Sequence, residues 1–461
     1  METEKRSIDF IPESERHGKP RNLFNIWFCC QGTFLSLVTG CFAIQMGLNV
    51  FWGLIAIILG HMVGGIFMAS HSAQGPKLGI PQMIQSRAQF GVVGAAIPII
   101  FVIFLYIFYF AASGILGGQS LHAAFPSLSV NWWIIILSII ALVINIFGHD
   151  WIHTLNKYLT IFTGIIFVIA TILVLMMGLP EGSWSPANFA FKPFLFIFSM
   201  TAAWQLTTAP YVADYSRYLP SNTPASKTFW FTYAGSVGGA IWMMTLGLFL
   251  AAAIPNFLDT SSESFANLFF PGLRPIIYVA IALGIVGLNV LNLYGAFMST
   301  TTVVASMKDY RGLSMKMRVS ILIIVTSVST FLGTWGQSKF LIVYPDVMLI
   351  LIYILLPWSA INLVDYYFLR KGNYSVPDIF NRNGIYGKFN GITLIVYALA
   401  LLAELPFMYL SFFHGNVANM LEGADITWVV GSLVPGLLYY FLMKNKQKVK
   451  QNTNLIGKVT T

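Results

Sequence analysis

Charge is what this sequence has least of. Only 9% of its 461 residues are Asp, Glu, Lys or Arg, against 57% hydrophobic residues, where a soluble domain carries about 25% charged residues. Together with a mean hydropathy of +0.73, that shortage excludes a soluble globular protein and indicates an integral membrane protein. Cysteine is nearly as scarce: Cys29, Cys30 and Cys41 all fall in the first apolar run, so no disulfide framework is expected and they read as small packing residues. Catalytic signatures are missing as well. The chain has no HExxH, no GxSxG and no GxxxxGK[ST] loop, and its seven histidines are scattered, which leaves an enzyme or a nucleotide-driven pump without nucleophile, metal ligands or phosphate cradle. A repeated filter motif of the kind a channel uses is also missing. The sequence gives no sign of a prosthetic cofactor or an obligate protein partner. Residues 1 to 22 are polar and basic before any apolar run begins, so a cleaved signal is not expected and the first apolar run is retained.

Long apolar runs are what the sequence has in abundance. Crossing the hydrocarbon core takes about 20 apolar residues in a helix. Twelve runs of roughly that length lie near 24–48, 51–71, 95–117, 131–149, 158–179, 192–213, 229–254, 275–304, 319–336, 341–368, 390–413 and 425–443, predicting an all-α protein of about twelve transmembrane helices. Loops rich in Lys and Arg stay cytoplasmic. An inside N-terminus leaves only Lys192, Arg274 and Lys339 of the 26 basic residues on the far side. Both termini are therefore expected in the cytoplasm of a cell-membrane protein, and the net charge of +9 reads as topology with some attraction to anionic lipid, not as a nucleic-acid footprint.

Polar residues cluster in three runs: "CCQGTFLS" in the first, "TAAWQLTTAP" in the sixth and "GIVGLNVLNLYG" in the eighth. Backbone freed by Gly or Pro in lipid is tolerated only where it faces protein or a watery cavity, so these stretches predict a shared interior site. The first and sixth runs each open a group of five, the spacing of a five-plus-five inverted repeat. This divides the chain into a tail (1–23), a first repeat (24–179), a second (192–368), two accessory helices (390–443) and a basic tail (444–461).

Several segments resemble the nucleobase:cation symporter family 1, in its purine and cytosine permease branch. They are "GPKLGIPQMIQSRAQFGVVGA" (75–95), "ADYSRYLP" after the sixth run, "PWSAINLVDYYFLRKGNYSV" (357–376) and the N-terminal "IDFIPESERHGKPRNLFNIWF". The resemblance implies a twelve-helix inverted-repeat transporter with two extra C-terminal helices. It further implies import of a nucleobase such as cytosine or a purine by cation symport. Another small heterocycle, such as allantoin, a hydantoin or a thiamine-precursor pyrimidine, remains open.

A flat heterocycle asks for aromatic faces and for amides that donate and accept along its edge. In the third run Tyr106, Tyr109, Ser113 and Gly117 share a helical face, and the resemblance brings Tyr106 onto a ligand-contacting position. In the sixth, Trp204 and Gln205 precede Asp214 by ten and nine residues, the place of the family's stacking aromatic; stacking is assigned to Trp204 and edge recognition to Gln205. In the eighth, Asn289 and Asn292 share a face, and Asn292 resembles the family's substrate-binding asparagine, with helix-to-helix bonding the alternative for both. Gln31 and Gly32 lie where the family unwinds its first helix, so Gln31 is a further substrate candidate. The backbone of Cys30, Thr33 and Gly287 is the candidate cation site.

Sodium-coupled relatives use two adjacent hydroxyl side chains of the eighth helix, and this sequence has Val290 and Leu291 there, which favours the proton over sodium. "STTTVV" (299–304) restores hydroxyls if that helix is shifted by a turn or two. His61 and Glu404 are intramembrane ionisable residues of unassigned role. Asp214 and Arg217, three apart at the exit of the sixth run, are expected to pair on one helix face and to serve a cytoplasmic gate without contacting the ligand.

Overall fold

The computed structural model describes residues 8–147, 149–307 and 314–459. The first seven residues of the expected N-terminal tail, part of the basic loop after the eighth run and the last two residues of the basic tail lie outside the described residues. Each of the twelve apolar runs coincides with a helix or a broken pair of helices. The first run forms α1 (Arg21–Gln31) and α2 (Phe34–Gln45), bent by 64°. Gly32 and Thr33 cause the break. Thr33 is extended, and its hydroxyl accepts from the Ser36 amide at 3.1 Å, replacing a bond the interrupted helix cannot supply. After α3 (Val50–Ser72), three one-turn helices between Gly75 and Phe90 form a buried segment that ends at Gly91, where φ is 87°. Next come α4 (Ala96–Ala124), α5 (Val130–Phe147) and α6 (His149–Met177).

The sixth run is also broken, into α7 (Phe191–Leu206) and α8 (Ala209–Ser216), with Pro210 in the first turn of α8. Proline cannot donate to a continuing helix but fits a first turn. The chain continues through α9 (Ala225–Ala253), α10 (Arg274–Met307), α11 (Met315–Gly336) and α12 (Phe340–Leu363), which ends in a π-helical turn at Val364–Leu369. The last two helices are α13 (Gly391–Glu404) and α14 (Thr427–Val459). The eleventh run was expected to be apolar helix to residue 413, but it stops near Pro406. A two-residue hairpin follows, β1 (Tyr409–Leu410) paired antiparallel with β2 (Phe413–His414). Among the described residues, seven helical segments are long and apolar enough to cross a membrane, one of them running through both α11 and α12, and the α1–α2 pair makes an eighth when counted as one span.

Small residues let the helices touch backbone to backbone, the usual way helices associate where lipid gives no hydrophobic drive. Gly60 and Gly64 of α3 face α7: a Cβ on Gly64 would lie 2.4 Å from the Ala202 carbonyl oxygen. Gly235 and Gly239 of α9 face α1 in the same manner, against the carbonyls of Phe24 and Phe28. Both broken helices are thus seated on glycine-bearing partners. Gly64→Ala is expected to lower the thermal midpoint of the purified protein, because overpacking costs about 1–3 kcal/mol. Gly238→Ala, where a Cβ meets nothing within 4 Å, should leave it unchanged or slightly raised, because alanine is the better helix former; equal midpoints for the two variants would show that the α3–α7 contact is not tight.

Candidate transport site

The two helix breaks are joined by side chains. Trp204, at the end of α7, donates its indole N–H to Gln31 Oε1 at 2.6 Å. Gln31 Nε2 donates to the Ser236 hydroxyl on α9 at 3.0 Å, and that hydroxyl donates onward to Gln205 Oε1 at 2.6 Å. Gln205 Nε2 reaches the Ser236 carbonyl and His61 Nδ1, each at 3.2 Å. The other ring nitrogen of His61 lies 3.1 Å from Met244 Sδ. All four of these polar residues, Gln31, Gln205, Ser236 and His61, are buried, as a bonded network in a low-dielectric interior requires. Tyr109 completes the cluster: its ring meets Trp204 edge-on at 5.7 Å, and its hydroxyl bonds to Thr207 at 2.9 Å, in the break between α7 and α8.

A cavity of about 490 Å³ lies between α8 and α10. Its α10 wall carries Asn292, Gly295, Ser299 and Thr302, one helical stripe, and its α8 wall carries Tyr211, Asp214 and Tyr215. Tyr106 of α4 and Cys30 of α1 also line it, and it extends to Ile8 and His17 of the N-terminal segment. Asn292 is buried, and its Nδ2 finds no hydrogen-bond partner among the described residues. A buried amide donor without a partner is costly, and a ligand in the cavity that Asn292 lines would supply one. Asn289 differs: its amide accepts from Ser113 at 2.6 Å and donates to the Phe110 carbonyl at 3.2 Å, which makes it a tie between α10 and α4.

The sequence-derived residues therefore separate. Tyr106, Asn292 and Cys30 line the large cavity, while Gln31, Tyr109 and Trp204 form the bonded cluster between the breaks. Gln205 was expected to read a ligand's edge; both ends of its amide are taken by Ser236 and His61, because the α7 helix turns that face toward α3 and α9. Asp214 and Arg217, expected to serve a cytoplasmic gate without contacting the ligand, both line the large cavity. Asp214 Oδ1 accepts the Gln82 amide at 2.8 Å, which ties α8 to the buried segment after α3. Arg217 donates to the backbone carbonyls of Asp214 and Asp9.

Sequence reasoning missed Tyr211 and Tyr215, although they sit four apart around Asp214 in the motif that was read for its charges. The N-terminal segment was missed too. It is fastened by the Ile11 amide to the Gly79 carbonyl at 2.9 Å and by the His17 amide to the Tyr218 carbonyl at 2.6 Å. The Ser221 amide reaches Glu13 at 3.0 Å, and that backbone bond holds the Glu13 carboxyl below its ordinary value.

Cys30, Thr33 and Gly287 line a second, smaller cavity of about 90 Å³. Thr160 and Thr163 of α6 also line it, and Val290 is not among its lining residues. Cys30, Leu288 and Leu291 line both cavities, so the two share a wall. Glu404 is fully buried on α13 against Gly431 of α14, and its carboxylate oxygens have no partner among the described residues. Neither Glu404 nor His61 lines either cavity.

Comparison with known proteins agrees with this architecture. The sequence profile for permeases of cytosine/purines, uracil, thiamine and allantoin matches residues 10–431. A putative purine-cytosine permease of Bacillus subtilis is 48% identical over 97% of this chain and 97% of its own length. The purine-cytosine permease of Emericella nidulans is 24% identical over 94% and 84%. Among solved structures, Mhp1 in an inward-facing conformation superposes with a TM-score of 0.75 at 19% identity, covering 96% of this chain and 94% of its own. Mhp1, described as a nucleobase-cation-symport-1 family transporter, in a closed conformation with bromovinylhydantoin bound gives 0.76 at 18% identity, covering 97% and 96%. With a family match over almost the whole length and helices broken around an interior cavity, this chain belongs to the cytosine/purine permease family and is a multi-pass membrane transporter, not an enzyme.

Proposed function

We propose that this chain imports a nucleobase, cytosine or a purine, by cation symport with alternating access. The observation that carries the reading is the buried Asn292, whose amide nitrogen is unpartnered among the described residues and which lines a cavity together with Tyr106, Tyr211 and Tyr215. Such a chamber suits a flat, uncharged ring system: Tyr106 and Tyr211 offer aromatic faces worth about 0.5–1.5 kcal/mol beyond burial, and an amide both donates and accepts along a heterocycle's edge. Gln31 and Trp204 hold the two helix breaks together beside it. The printed family description and the hydantoin bound to Mhp1 keep a second reading in play, in which the substrate is allantoin, a hydantoin or a thiamine-precursor pyrimidine.

The architecture proposed with this function has twelve spans in a five-plus-five inverted repeat, 24–179 and 192–368, followed by two accessory helices in 390–443. Breaks at the first helix of each group support it. Both termini lie in the cytoplasm, so the large cavity, reaching Ile8 and His17, is the inward path, and Asp214 with Arg217 belongs to the cytoplasmic gate. For the coupling ion we favour the proton. Val290 and Leu291 take the place of the hydroxyls that sodium-coupled relatives use on the eighth helix. The threonines that line the small cavity, Thr33, Thr160 and Thr163, support sodium as the alternative, since hard cations take oxygen ligands. Either ion at Cys30, Thr33 and Gly287 sits across a shared wall from the substrate, which is the contiguity that coupling between two sites requires.

Cells producing the protein are expected to accumulate labelled cytosine or a labelled purine above vector background, and a proton uncoupler should abolish the accumulation. No uptake of cytosine, adenine, hypoxanthine, uracil or allantoin would refute the substrate class; uptake that survives the uncoupler and stops without sodium would reverse the choice of ion. Asn292→Ala should raise the KM roughly tenfold, the loss expected for one buried hydrogen-bonding group, at unchanged amounts in the membrane. An unaltered KM would remove Asn292 from the site.

A further inference from the structure

Gly295 has no part in the reading above, yet it governs how wide the chamber is. It stands on α10 one turn beyond Asn292, and both residues line the large cavity. A Cβ on Gly295 would fall 2.3 Å from Cζ of Tyr106, 2.4 Å from Cε1 and 2.7 Å from its hydroxyl oxygen. The hydroxyl end of the Tyr106 ring therefore lies against the bare backbone of α10, closer than any side chain at 295 permits in a packed interior. Tyr211 stands against Tyr106 with ring centroids 5.7 Å apart and planes tilted by 36°. Tyr211 in turn leans on Trp27 at 6.1 Å, and Trp27 meets Tyr215 edge-on at 5.3 Å. Trp27 is itself buried, so Tyr211 is backed by a packed ring on the side away from Tyr106.

We infer that Gly295 is a specificity-determining residue: by letting Tyr106 sink onto α10 beside Asn292, it sets the largest ring system that the chamber admits. The inference rests on the transport reading above. A methyl group at 295 drives the ring off α10, and with Tyr211 against it the ring yields into the cavity that both tyrosines line. The space lost lies next to the Asn292 amide. A fused two-ring purine, which reaches further across the chamber than the single ring of cytosine, loses more contact and meets more overlap.

Uptake kinetics of labelled cytosine and hypoxanthine in four chains test this: the wild type, Gly295→Ala, Tyr106→Leu and the double variant, with amounts in the membrane matched by fluorescence size exclusion. Gly295→Ala should raise the KM for the purine roughly tenfold, the scale of overpacking a tight contact. The rise for cytosine should be smaller, and the maximal rate per transporter should be kept. On the Tyr106→Leu background, Gly295→Ala should add nothing, because the ring atoms it strikes are gone. Where the wild type takes up only one of the two bases, that lack of addition for the transported base decides. Equal KM losses for both bases, a fall in maximal rate alone, or an undiminished cost on the Tyr106→Leu background would overturn the inference and leave nucleobase transport standing. If Gly295→Ala fails to reach the membrane, recovery in the double variant to the Tyr106→Leu amount supports the ring clash, and no recovery overturns it. A wild type that takes up no base removes the transport reading, and this inference with it.

Discussion

A backbone that leaves its helix inside lipid must find hydrogen-bond partners within the protein, and this chain leaves its helices twice, at Gly32–Thr33 and at Thr207–Thr208. One bond, from the Trp204 indole to Gln31, joins the two places. Much else follows from it. Gln31 can accept that bond and still donate to Ser236 only if α9 lies close to α1, which the bare backbones of Gly235 and Gly239 allow. Ser236 then fixes Gln205, and Gln205 fixes His61 of α3. The polar residues that looked like a dispersed set of ligands thus form the frame that keeps two broken helices in register. The surfaces left over, Asn292 on α10 and the tyrosines of α4 and α8, face the cavity.

The two cavities acquire their meaning from that frame. The larger is aromatic on one side and carries small and polar residues on the other, as a planar heterocycle needs; the smaller is lined by residues of the first break and by threonines of α6. Their common wall is formed by Cys30, Leu288 and Leu291; in the proposed function, that wall is where a substrate in one cavity and an ion in the other would affect each other without direct contact.

Much of the fold was legible in the sequence because lipid imposes a long apolar run on every span, and all twelve runs meet a helix or a broken pair. The helix breaks were legible for the same reason: Gly32 and Pro210 stand out in such surroundings. Tyr106, Asn292 and the pairing of Cys30, Thr33 and Gly287 in one small cavity were within reach of residue type and family resemblance. Gln205 was not, since which face of α7 meets α9 depends on rotation about a broken helix that no spacing rule fixes. Tyr211 and Tyr215 were hidden by their neighbours, because Asp214 and Arg217 drew the motif toward a reading in terms of charge. Gly295 was invisible altogether, since the absence of a side chain acquires significance only once Tyr106 is known to rest on it.

The most direct test of the central claim is a structure of the purified protein with its transported base bound. The account predicts density for a flat ring in the large cavity, against the tyrosines of α4 and α8 and with its edge within hydrogen-bond distance of Asn292. A base bound elsewhere, with the Asn292 amide still facing an empty cavity, would contradict it.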